Sequence, residues 1–336
     1  MKRLKLHVRH GWSHKDTKTE MSGNEAVKEE KQAIAAMDLG SNSNRLLIAD
    51  LNGVPLFRDV RHVALGEKLA EQGYFTERSM ERAICSFMDF QEMMKVYNVK
   101  RYRAIATAAC RMSKNTEAFV AEVKKMSGVE LEVISEFEEA RLTLLGARLN
   151  APKDKKYLFV YDLGGGSTEI TLATNEDNPK ILATVSVPLG ARNATEMFSL
   201  QEYKADKAKV LEDKVRAYAA EFMEQIKAYD YQGNTALIAT SSTPLRLTSW
   251  INKMPQYDKF AADGLTVEVK DLDELIGKVL HYSFKKRAAS VYVGPNRAGI
   301  FIAALVIFRT IYKMLNCDKL TASLKGAQEA IIAELL

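Results

Sequence analysis

Two short stretches of this chain, Asp38-Leu39-Gly40-Ser41-Asn42-Ser43 and Asp162-Leu163-Gly164-Gly165-Gly166-Ser167, share the pattern D-L-G-x-x-S. Each sets an Asp at the end of an apolar run and follows it with glycine, so a carboxylate stands beside backbone N–H groups that can converge on a phosphate oxygen. Glycine serves there because a side chain would block the close approach. One D-L-G says little, since Asp and Gly end many strands. Two copies facing each other across a cleft would present two phosphate loops, Gly40, Ser41, Asn42, Ser43 and Gly164, Gly165, Gly166, Ser167. They would also present two carboxylates, Asp38 and Asp162, with room for a divalent ion between them. Hard oxygen donors beside phosphate suit Mg²⁺.

The elements that must carry these loops are readable from periodicity. A strand over 33–39 and another over 46–51 flank the first loop, and strands over 157–162 and 168–173 flank the second. Between them the pattern predicts a helix after an N-cap at Thr76, with Met80, Ala83, Ile84, Phe87 and Met88 as its core stripe. A strand over 104–106, a helix from Asn115 to near Gly128, a strand over 131–134 and a helix over 136–149 follow. After the polar linker 151–156 the opening motif returns, as a duplicated βββαβα unit requires. The second half continues with strands near 181–187 and 236–239, helices over 203–229, 271–284 and 296–315, and a closing strand and helix within 319–336. Alternating strands and helices make this an α/β protein, with a tail at 1–32, a first domain over 33–135 and a second over 136–324. The helix 325–336 is expected to pack back on the first domain.

Composition narrows the function. The chain has 336 residues, 48 Lys and Arg against 43 Asp and Glu, and a net charge of +5. More than half of that excess lies in residues 1–32, so the body is nearly neutral and shows no concentrated basic face for nucleic acid. Cys85, Cys110 and Cys317 are scattered and odd in number, against a disulfide framework or a zinc site and in favour of a reducing cytoplasm. The five His show no ligand spacing. The most apolar run, residues 298–308, is too short to cross a bilayer and reads as a core helix.

Four motifs then resemble the exopolyphosphatase/guanosine pentaphosphate phosphatase (Ppx/GppA) family. They are Ala36-Met37 with the first loop, Ala106-Thr107-Ala108-Ala109-Cys110-Arg111, Glu138-Glu139-Ala140-Arg141-Leu142, and the second loop with Thr168-Glu169. The resemblance implies two actin-like domains of the acetate and sugar kinase, heat-shock chaperone and actin superfamily, with the active site in the cleft between them. It implies hydrolysis of the terminal phosphoanhydride of polyphosphate or guanosine pentaphosphate, and a homodimer as a common assembly. By motif position Glu139 becomes the general base and Glu169 joins Asp38 and Asp162 as a metal carboxylate. Arg111 has the fork to clamp phosphoryl oxygens bidentately. Read without the resemblance, Glu138, Glu139 and Arg141 are a solvated helix start, Glu169 an ion-pair residue, and Arg111 a surface cation. Two departures stand out. Ala239-Thr240-Ser241-Ser242-Thr243-Pro244 replaces a family G-x-x-G-T loop, so close backbone approach there is expected to be lost, and Ala327-Gln328-Glu329-Ala330 lacks the Arg of L-R-E-G. An ATP-dependent phosphotransferase and a catalytically silent phosphate sensor remain the competing readings.

Overall fold

The computed structural model describes residues 32–336; apart from Gln32, the expected N-terminal tail lies outside them. The first sheet is built from β1 (Ala33–Leu39), β2 (Asn44–Asp50), β3 (Pro55–Arg61), β4 (Val99–Ala106) and β5 (Leu131–Val133), in the order β3-β2-β1-β4-β5. β1, β2 and β3 form an antiparallel meander, and β4 and β5 join in parallel. β1 is buried along its whole length because it is covered on both faces. Ala33, Ala35 and Met37 face the helix Glu77–Val96, while Ile34 and Ala36 face the C-terminal helix Ala327–Leu335. The first of these helices starts as its sequence predicts, with the Thr76 hydroxyl accepting from Ser79 N.

The second sheet contains β6 (Tyr157–Leu163), β7 (Thr168–Thr174), β8 (Ile181–Val187), β9 (Thr235–Thr240), β10 (Thr266–Glu268) and β11 (Lys319–Ser323), ordered β10-β11-β9-β6-β7-β8. From β8 inward it repeats the first sheet strand for strand, with β10 added at the edge. The duplication is therefore one of topology as well as motif, and the chain is an α/β protein of two actin-like halves. The larger core lies in the second half, around the almost wholly buried helix Phe301–Leu315. Among the described residues no helix is long and apolar enough to cross a membrane.

Two segments join the halves. The helix Glu136–Ala147 presents Leu142 to the first sheet and Leu144 and Ala147 to β6 and β9. The helix Ala327–Leu335 follows β11 out of the second sheet and buries Ala330, Ile331 and Ile332 on the first. They cross at two glycines. A β-carbon at Gly146 would stand 1.9 Å from the Gly326 carbonyl oxygen, so only hydrogen fits there.

Several boundaries differ from expectation. β3 and β10 lie outside the expected strands, because β3 is half-exposed and carries Arg58, Asp59 and Arg61, while β10 has three residues. The helix expected over 203–229 breaks into Ala205–Tyr218, Ala220–Gln225 and a short 3₁₀ turn. That over 271–284 is Val269–Leu280, followed by Phe284–Ala289 from a new cap at Ser283. That over 296–315 begins as the single turn Pro295–Ala298. Asn115 precedes the helix Thr116–Ser127 but does not cap it, since its Oδ1 accepts instead from Phe75 N and the Ser113 hydroxyl.

Candidate active site

Each D-L-G-x-x-S loop is a tight turn between paired strands, closed by Gly40 N to Ser43 O and by Gly164 N to Ser167 O, both at 3.0 Å. The loops touch. A β-carbon at Gly166 would lie 2.5 Å from Ser41 Oγ, so a larger residue there would have to turn the Ser41 hydroxyl aside. Arg192, at the start of the helix Ala191–Phe198, ties them further by donating from Nε to Asn42 Oδ1 at 3.1 Å, with Nη2 on the same oxygen.

The equivalent strand pairs differ in one telling way. In the first half Asp38 faces Arg45 across the β1–β2 ladder, and their side chains form an ion pair at 2.6 Å. In the second half the same register sets Asp162 opposite Glu169. Two carboxylates on facing positions, Glu169 buried and Asp162 half-buried, repel one another. The Asp162 carboxyl is pushed up to about 6 by burial, against the pull of Arg45 and with a further push from Asp38. Glu169 is raised well above its usual range by burial and by the Glu139 and Asp162 charges, although the Ser167 and Ser186 hydroxyls donate to it.

Glu139 enters from the helix Glu136–Ala147, whose N-cap Ser135 accepts from Glu138 N. It is buried, and its Oε2 accepts from Arg111 Nη1 at 2.7 Å. Burial pushes its carboxyl up to about 7; the Arg111 charge and hydrogen bond oppose this, and Asp38 and Asp162 add to it. Glu138, one position earlier, points elsewhere, to Arg103 and Arg141.

Glu139, Asp38, Asp162, Glu169 and both loops line one cavity of about 260 Å³ between the two sheets. Arg111 does not line it. Its Nη1 serves Glu139 and the Ile134 carbonyl, so the structure makes it a holder of Glu139 where a phosphoryl clamp was expected. Among the described residues no three acidic, His or Cys side chains are gathered to hold a metal ion unaided. The donor chemistry still fits Mg²⁺, because the facing carboxylates of half-buried Asp162 and buried Glu169 are oxygen ligands in want of positive charge.

Sequence reasoning missed the cationic half of the lining: Arg45, Arg58, Arg246, Lys259 and Arg297, with His62 beside them. Only Arg45 left a signal, at the Asp162-to-Glu169 spacing within the duplicated hairpin. In the altered 239–244 segment one residue takes a backbone conformation that glycine adopts freely. Ser241 sits at φ 94°, a backbone region that L side chains rarely adopt, immediately before the helix Ser242–Ile251. At the C-terminal departure, Gln328 Nε2 donates to the Ala36 carbonyl at 3.0 Å, and Glu329 bonds Gly326 N and pairs with Arg58.

The Ppx/GppA phosphatase family model matches residues 48–336. Exopolyphosphatase 2 of Mycobacterium tuberculosis is 28% identical over 312 residues, covering 86% of this chain and 94% of that protein. A guanosine-5'-triphosphate,3'-diphosphate pyrophosphatase of Photobacterium profundum is 25% identical, covering 90% of this chain and 59% of its own length. Among solved structures, the Ppx/GppA protein of Aquifex aeolicus superposes with a TM-score of 0.74 at 25% identity, covering 90% of this chain and 97% of its own. An exopolyphosphatase from Cytophaga hutchinsonii reaches 0.82 at 22% identity, covering 90% and 97%. With a family match over most of its length and the site geometry above, the chain belongs to the Ppx/GppA phosphatase family.

Proposed function

We propose that the chain hydrolyses the terminal phosphoanhydride of inorganic polyphosphate or of guanosine pentaphosphate and releases orthophosphate. The observation that carries this reading is the buried Glu139, held by Arg111 at 2.7 Å and facing a cavity floored by two phosphate loops. The names of the relatives from M. tuberculosis and P. profundum support the two substrate classes.

Backbone N–H groups of residues 41–43 and 165–167 hold the non-bridging oxygens of the terminal phosphoryl group. Glu139 orients a water molecule and takes its proton as the new P–O bond forms. The bridging P–O bond breaks, and its electron pair leaves on the shortened chain. Arg111 fixes the Glu139 carboxylate, and Arg45 balances Asp38 at the cavity wall. Asp162 and Glu169 would hold a Mg²⁺ together with phosphate oxygens, and the ion would supply charge neutralisation when bound. Asp38, also expected at the ion, already has Arg45 as its counter-charge. The thiols Cys85, Cys110 and Cys317 are all free, which supports a reducing compartment such as the cytoplasm.

Orthophosphate release from polyphosphate of defined length and from guanosine pentaphosphate, each with and without Mg²⁺, tests the reading. Release from at least one substrate, abolished by chelation, is expected. A folded protein that releases phosphate from neither substrate in saturating Mg²⁺ would overturn it.

A further inference from the structure

The phosphate loops are not the only motif that the two halves share. Leu65-Gly66 follows β3 and Leu189-Gly190 follows β8, the third strand of each half. Both leucines are buried in the core of their own half, and both glycines lie against the phosphate loop of that half. A β-carbon at Gly190 would stand 2.5 Å from the Gly165 carbonyl carbon, and one at Gly66 would stand 3.2 Å from Ser41 Cβ.

These turns take up the carbonyls of the loops. In the first half Gly66 N donates to Ser41 O at 2.8 Å and Ala64 N to Asn42 O at 3.0 Å. In the second, Ala191 N donates to Gly164 O at 2.9 Å, Arg192 N to Gly165 O at 2.8 Å, and Asn193 Nδ2 to Gly166 O at 2.7 Å. The buried Asn193 side chain is fully used, because its Nδ2 also donates to the Pro188 carbonyl at 3.0 Å and its Oδ1 accepts from Gly190 N at 2.7 Å. In a trans peptide the C=O and N–H point opposite ways, and every described peptide is trans. Pinning the carbonyls of Ser41, Asn42, Gly164, Gly165 and Gly166 therefore turns the next N–H in each case away from the turns. Those N–H groups belong to Asn42, Ser43, Gly165, Gly166 and Ser167, all of which line the cavity. Among the described residues none of the five donates to a main-chain carbonyl.

We propose that Leu65-Gly66 and Leu189-Gly190 are a second duplicated motif that aims the phosphate loops, with Asn193 the positioning residue for the Ser167 N–H and Gly66 for the Asn42 N–H. This rests on the proposed function, in which those N–H groups hold phosphoryl oxygens. Gly66, Gly190 and Asn193 do not line the cavity, so they act through the loops and not on the substrate. The two halves do this differently. The first loop is aimed by main-chain donors alone, whereas the last peptide of the second is aimed by a side chain, so one substitution can turn it without touching its neighbours.

Amide proton shifts read the aim directly, because an N–H that donates to a phosphate oxygen moves downfield. In Glu139→Gln protein, saturating tripolyphosphate should move the Asn42, Ser43, Gly165, Gly166 and Ser167 amides downfield. Asn193→Asp in that background keeps the acceptor for Gly190 N and removes the donor to Gly166 O, so the Ser167 response should be lost at saturation while the Asn42 response is kept. Gly66→Ala, which presses on Ser41, should do the reverse, and it decides the matter alone if Asn193→Asp does not fold. Responses at Asn42 and Ser167 that are kept together or lost together in each variant would overturn the assignment, as would loop amides that tripolyphosphate does not move. Wild-type protein that releases phosphate from no substrate, while the two amides respond separately, would sink the hydrolytic reading and leave the positioning roles standing.

Discussion

Glu138 and Glu139 follow one another on a helix, where consecutive side chains diverge by about 100°, and they live in opposite environments. Glu138 pairs with Arg103 and Arg141 at the surface, whereas Glu139 is buried against Arg111 and the cavity. Glu139→Gln should therefore lower kcat by roughly 10²–10⁴-fold in phosphate-release assays while tripolyphosphate still binds. Glu138→Gln should leave turnover near wild type and cost about 1 kcal/mol or less in urea unfolding. Arg111 lowers the Glu139 carboxyl, so its removal must raise it. Glu139 acts as a base only when ionised, so kcat should rise with pH through about 7. In Arg111→Met that limb should move to higher pH, and a kcat–pH profile with an unmoved limb would remove Arg111 from the role of holder. Glu139 and Asp162 could be found in the sequence because motif position marks them. Arg246, Lys259 and Arg297 could not, because an Arg or Lys in a polar context reads as solvated surface until the fold shows that it lacks an acidic partner.

At the scale of elements, the two hairpins were legible because strand, glycine turn and strand all fall within a dozen residues and recur. Their contact was not, since the fit of Gly166 against Ser41 Oγ joins loops from different sheets. Gly166→Ala should destabilise the fold by about 1–3 kcal/mol through overpacking. Ser41→Ala should recover part of that loss in the double variant, read as a coupling in denaturant midpoints. β3 escaped notice because an edge strand with one half-exposed face carries charges where a central strand carries Val or Ile. The 239–244 segment is a separate case. Its composition predicts a lost close backbone approach, and at Ser241 the backbone takes a φ of 94°, which glycine adopts far more easily. Ser241→Gly is accordingly expected to raise the melting temperature slightly, by relieving a conformation that costs non-glycine residues on the order of 1 kcal/mol.

At the scale of the whole molecule, the halves are joined where Gly146 meets Gly326, and the first sheet is covered on one face by residues from the far end of the chain. Ile331 is fully buried there, so Ile331→Ala should cost about 2–5 kcal/mol, measured by urea denaturation. The duplication made the two-sheet plan legible; the return of the last helix depends on contacts nearly three hundred residues apart, such as Gln328 to the Ala36 carbonyl. That return also orders events during synthesis. Domains generally fold as units with the N-terminal one first, but here the half that emerges first has Ile34, Ala36, Leu47, Ala49 and Ile105 on a face that Leu142 covers only in part until residues 327–336 leave the ribosome. The half made second owes nothing to that late arrival and can close around Phe301–Leu315 while its elder sibling waits. A nascent chain stalled just short of Ala327 should therefore present a sticky, protease-sensitive first sheet to chaperones, and emergence of residues 327–336 should bury it.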